Sequence, residues 1–100
     1  MERRRAGAVP VTVTLTGWLR CKDAAERAAV ILHLPDHLRL SLAEPGCLAF
    51  AVEPTQDPLV WRVSESFVDA AAFDAHQART RASDWFSATG GIRREFQRIG

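Results

Sequence analysis

The sequence predicts an α+β domain of ferredoxin-like topology, strand-helix-strand-strand-helix-strand, with one antiparallel sheet and both helices on one of its faces. Three observations carry this. Residues 11 to 19, Val-Thr-Val-Thr-Leu-Thr-Gly-Trp-Leu, alternate between apolar and mildly polar side chains. Glu44-Pro45-Gly46-Cys47-Leu48 ends a helix and launches a strand. The stretch from Glu65 to His76 ends a strand and launches a second helix.

Each element has its own justification. In the first strand Val11, Val13, Leu15 and Leu19 point one way, and Thr12, Thr14, Thr16 and Trp18 the other. Asp23 is placed to cap the next helix. Ala24, Ala28, Ile31, Leu38 and Leu42 recur there at helical spacing and predict its buried stripe. Pro35 inside that run predicts a kink or a split. Residues 47 to 53 read as a second strand, with Leu48, Phe50 and Val52 on one side and Cys47, Ala49 and Ala51 on the other. Thr55 to Pro58 is turn chemistry, and residues 59 to 68 make the third strand, a hairpin partner of the second. Asp69 caps the second helix, Gly90-Gly91 closes it, and residues 92 to 99 form the last strand.

The second helix is predicted to break. At about 100° per residue, Ala71, Ala75, Ala78, Ala82 and Trp85 share one face, with Phe73 opposite them and His76 near Phe73. One straight helix would leave Phe73 in water, and burying it is worth about 1.5–3 kcal/mol. A break near Arg79-Thr80-Arg81 lets the first half bury Ala72 and Phe73 with His76 facing the sheet. The second half then buries Trp85 and Phe86.

One hundred residues allow a single domain, here 11–100, after a flexible N-terminal arm at 1–10. So short a chain has a marginal core. Its second sheet face is apolar enough to call for another copy, a homodimer joined sheet to sheet. The formal net charge of +1 gives no reason to expect nucleic acid. Glu2-Arg3-Arg4-Arg5 reads as a solvated tail, with no apolar segment behind it to make a signal peptide. No run approaches the ~20 apolar residues of a membrane helix. The two cysteines are far apart and form neither a disulfide framework nor a zinc spacing. The expected compartment is the cytoplasm.

The sequence resembles the antibiotic biosynthesis monooxygenase family of dimeric α+β barrels, which includes small quinol monooxygenases. The matching residues are Ala43-Glu44-Pro45-Gly46-Cys47-Leu48 with Phe50, then Trp61-Arg62-Val63-Ser64-Glu65-Ser66-Phe67, Asp69, Ala72-Phe73 and His76. The resemblance implies a dimer that, in active members, inserts oxygen without metal or flavin into an electron-rich anthrone, quinol or phenol. Such chemistry needs a base and a dry aromatic pocket. The sequence departs from the family pattern in having neither Tyr nor Asn. The haem-degrading branch uses a first-strand Asn, where this chain offers Thr12, Thr14 and Thr16. Only His76 carries over directly.

His76 is therefore the candidate base. Trp18 and Trp61 are the candidate pocket walls, with Phe73 beside them. His37 is a secondary pocket candidate if Pro35 rotates it inward, and Arg79 is a candidate for an anionic substrate. Glu65 sits at inward spacing with Trp61, Val63 and Phe67. It reads as a buried structural carboxyl or as an orienter of His76. His33 and His37 have metal-ligand spacing but no third ligand, and read as a solvated face. Cys47 reads as a small core residue, and Arg93, Arg94 and Arg98 as rim groups. Two functions stay open: a cofactor-independent monooxygenase, and a non-catalytic small-ligand-binding or structural dimer on the same fold.

Overall fold

A computed structural model describes residues 11–100; the arm expected at 1–10 lies outside the described residues. The elements are β1 (Val13–Arg20), α1 (Ala24–Leu42), β2 (Cys47–Pro54), β3 (Val60–Phe67), α2 (Ala70–Arg81), α3 (Asp84–Thr89) and β4 (Arg93–Ile99). The four strands form one antiparallel sheet in the order β2-β3-β1-β4. This is the predicted ferredoxin-like α+β fold. Val13, Leu15 and Leu19 of β1 are buried, and Phe50, Val52, Trp61, Val63 and Phe67 join them on the helix-covered face. Gly17 lies in mid-strand at φ +155°, where a Cβ would fall 2.0 Å from the Glu95 carbonyl oxygen. Only glycine admits so close an approach of β4.

The predicted caps form. Asp23 accepts from the Glu26 amide while Glu26 accepts from the Lys22 amide, a reciprocal pair that starts α1. Asp69 caps α2 by accepting from the Ala72 amide. The predicted break lies two or three residues further on, at Ala82-Ser83. The Ser83 hydroxyl donates to the Thr80 carbonyl, ending α2, and accepts from the Phe86 amide, starting α3. Phe73 and Trp85 are both buried in consequence, but Phe86 stays 39% exposed.

Two local expectations are corrected. First, α1 is not split at Pro35: one helix runs from Ala24 to Leu42. Its inward residues are Val30, His37 and Ser41, with Leu34 and Leu38 packed against the core, whereas Ile31 and Leu42 are about half exposed. Aliphatic residues occupy nearly every face of this helix, so periodicity did not fix its rotation. Second, β2 carries a bulge. Cys47 pairs with Phe67 and Ala49 with Ser66, leaving Leu48 without an opposite residue. Cys47 therefore packs against the core alongside Phe50, and Leu48 turns out to solvent.

Candidate functional site

The helix break and the inward rotation of α1 open a cavity of about 270 Å³ between helices and sheet. Leu15, Leu19, Phe50, Val52 and Val63 form its apolar floor. His37 enters from α1, His76 and Thr80 from α2, Trp85 and Phe86 from α3, Glu65 from β3, and Arg94 and Phe96 from β4.

His76 is 2% exposed and held from both sides. The Glu44 carboxylate accepts from Nδ1 at 2.8 Å, and also binds Arg79 Nε at 2.5 Å. Ser41 Oγ accepts from Arg79 Nη2 at 3.0 Å, tying the group to α1. A carboxylate paired with a guanidinium accepts and does not donate. The Nδ1 proton therefore belongs to the Glu44 bond, and Nε2 carries the lone pair. Nε2 lies 3.4 Å from Thr80 Oγ1 and 3.6 Å from Glu65 Oε1. Burial lowers the pKa of His76, against the opposing pull of Glu44, so its neutral form is favoured. The result is an unprotonated imidazole nitrogen on the wall of an apolar chamber.

Glu65 is 6% exposed, and its Oε1 has no hydrogen-bond partner. Burial, reinforced by the Glu44 charge and opposed by Arg94, pushes its carboxyl up to about 7. His37 is stacked on Trp85 with ring centroids 4.6 Å apart, and meets the Phe50 edge at 5.2 Å. Burial, with the charges of His76, Arg79 and Arg94 adding to it, pushes its pKa down to about 3. Arg94 donates to the Thr89 and Ile92 carbonyls and to Thr89 Oγ1. It closes the C-terminal end of α3 and is not the rim group expected from sequence.

The structure thus brings together His76, Glu65 and His37. The other predicted site residues lie elsewhere. Trp18 stands on the opposite sheet face, flanked by Arg20 and Arg62, because the alternation of β1 turns it away from the helices. Trp61 and Phe73 are packing residues outside the cavity, Phe73 set edge-on against Phe67 at 5.6 Å. Arg79 is committed to Glu44 and Ser41 rather than open to a substrate. His33 and His37 also line a groove between α1 and the α2–α3 junction, His37 from its buried position. Among the described residues, no group of three or more His, Cys, Asp or Glu side chains is placed to hold a metal ion.

Sequence reasoning missed Glu44, Thr80 and Arg94. Thr80 had a detectable signal, standing one turn after His76 on the same helix face. Glu44 is 32 residues from His76 and had been absorbed into the helix-stop reading.

The model of the family described as antibiotic biosynthesis monooxygenase matches residues 21–88, two thirds of the chain. The chain belongs to the antibiotic biosynthesis monooxygenase family. The match runs from the end of β1 through α3 and so contains Glu44, Glu65 and His76. Solved structures similar to this family member share its fold at low identity. SnoaB of Streptomyces nogalater, a cofactor-independent oxygenase, is 14% identical with a TM-score of 0.73, over 89% of this chain and 91% of that one. MupZ of Pseudomonas fluorescens is 14% identical with a TM-score of 0.74, over 89% of this chain and 67% of that one. A conserved Bacteroides thetaiotaomicron protein of unknown function is 19% identical with a TM-score of 0.68, over 88% and 95%. No curated protein matches the sequence significantly.

Proposed function

We propose that this family member is a cofactor-independent monooxygenase acting on an electron-rich hydroxylated aromatic. The observation that carries the reading is the His76 Nε2 lone pair, fixed by the Glu44–Nδ1 hydrogen bond and facing a largely apolar cavity. Nε2 takes the substrate hydroxyl proton, and Glu44 stabilises the imidazolium that results. The substrate anion, out of water, transfers an electron to O₂, and the radical pair combines to a peroxide that takes the imidazolium proton, giving a hydroperoxide and restoring His76. Loss of water then leaves a carbonyl, so one O₂ converts a ring C–H and O–H to a quinone and water. An apolar cavity of about 150 Å³ takes benzene, so the 270 Å³ here suits one or two fused rings.

The molecule acts as a homodimer in this proposal. The outer sheet face carries Thr14 and Thr16 of β1 beside Ser64, Ser66, Ala49 and Ala51, small side chains at its centre, with Trp18 next to Arg62 and Glu95. A centre of small side chains fits a second sheet. The two free thiols, Cys21 and Cys47, suit a reducing cytoplasm. The alternative, a non-catalytic binding dimer, draws its support from Trp18, Trp61 and Phe73, none of which lines the cavity.

Oxygen uptake on metal-stripped protein, with a panel of naphthols, hydroquinones and anthrones, tests the proposal. Uptake is expected for one- and two-ring substrates, with a loss of roughly 10²–10⁴-fold in His76→Ala. Binding without uptake by any substrate would leave the non-catalytic reading, and equal uptake by the variant would remove His76 from the chemistry.

A further inference from the structure

We propose that Glu65 is the acid partner of the His76 base, and that the pair interconverts keto and enol forms of a small aryl ketone without oxygen. The inference rests on the reading of His76 as base, but not on the oxygen chemistry.

The geometry carries it. Oε1 of Glu65 stands 3.6 Å from Nε2 of His76 and has no hydrogen-bond partner. Arg94 shares the cavity with Glu65 but places three of its five N–H donors on Thr89 and Ile92. Among the described residues, His76 is the basic group within ion-pairing distance of Glu65. A buried carboxyl with no full cationic partner is biased towards its protonated form, because isolating the charge away from water is costly. Its upward-shifted pKa agrees with this. Glu65 lines the cavity, so its carboxyl stands there beside the His76 lone pair.

A hydroxyl substrate has no use for that second group, because a base alone removes an O–H proton. A carbon acid does have a use for it. Removing a proton beside a carbonyl becomes easier when the carbonyl oxygen receives a proton as the negative charge arrives. The α-carbon and the carbonyl oxygen are separated by one atom, and the adjacent acid and base match that separation. In the step, Nε2 takes the α-proton and the C–H pair becomes the new C=C bond. The carbonyl π pair moves to oxygen and takes the Glu65 proton. The products are the enol, a Glu65 carboxylate and a His76 imidazolium, an ion pair formed side by side. Return of the imidazolium proton to the carboxylate resets the pair, so no oxidant or other reactant is consumed.

This sets the substrate class: an aryl ketone of one or two rings with an activated C–H, entering as the keto form. The test is α-proton exchange in D₂O under argon, followed by NMR, with 2-tetralone and phenylpyruvate as probes. Wild type is expected to accelerate exchange by about 10²-fold or more over buffer. Glu65→Gln, checked for folding by circular dichroism, should lose most of that acceleration while still binding 2-tetralone. Glu65→Asp, which restores the acid, should recover part of it. Wild-type exchange in Glu65→Gln, no recovery in Glu65→Asp, or no acceleration of either probe by wild type overturns the inference. Exchange without oxygen uptake in air would uphold it and end the monooxygenase reading. Oxygen uptake without exchange would do the reverse.

Discussion

A carboxylic acid set among Val63, Phe50 and Leu15 ties the stability of this fold to pH in an unusual direction. Glu65 has an ordinary value of 4.5 and is pushed up to about 7 in the folded chain. Between those values the unfolded chain ionises the group while the folded chain keeps the proton. Stability is therefore lost as the pH rises through that window, and stays lost above it. The shift corresponds to about 3 kcal/mol. His37 has the opposite sense: its contribution is present above its ordinary 6.5 and is lost as the pH falls towards about 3. Glu65→Gln should thus exceed wild type in urea-denaturation stability at pH 8 by up to about 3 kcal/mol, with a much smaller gain at pH 4. An equal gain at both pH values would mean that ionisation of Glu65 is not its source. At this scale the sequence was partly legible. His76 could be singled out because the family resemblance carries over to it, and burying Phe73 required a helix break that turns it inward. Glu44 could not, because nothing local ties a helix-stop residue to a ring two elements away.

The junction between α2 and α3 rests on one side chain. Ser83 Oγ holds the Thr80 carbonyl at 2.6 Å and the Phe86 amide at 3.2 Å, so a single hydroxyl ends one helix and starts the next. Ser83→Ala should cost about 0.5–2 kcal/mol in thermal or chemical denaturation. It should also weaken ligand binding in the cavity, because Trp85 and Phe86 hang from the freed helix. Loss of stability with unchanged binding would show that α3 is positioned by its core contacts alone. The break itself was legible from the conflict between Phe73 and the alanine face. The rotation of α1 was not. That helix offers apolar side chains on most sides, and its orientation is decided by the fit of His37 between Trp85 and Phe50.

For the whole molecule, element order and sheet topology could be read from the sequence, because alternation, caps and turn residues agree on them. What could not be read was which apolar residues meet: Trp18, Trp61 and Phe73 were grouped around one pocket and stand in three different surroundings. Trp18 belongs to the outer face proposed for dimerisation. Thr16 is central there, paired with Ser64 and Gln97. Sedimentation should report twice the 11.1 kDa chain mass for wild type. Thr16→Arg, which sets a charge in the middle of that face, should shift the protein towards monomer while leaving the cavity on the other side intact. A monomeric wild type would mean that the outer face is simply solvated.

The bulge in β2 bears on how this chain tolerates changes of length. Two residues, Leu48 and Ala49, occupy the space opposite Ser66 where one would complete a regular ladder. A relative one residue shorter at that point would still direct Cys47 and Phe50 towards the helices. A residue lost between Phe50 and Val52 would reverse the strand's faces and empty the cavity floor. Among sequences of this kind, gaps should gather at Leu48 and be missing at Ala51.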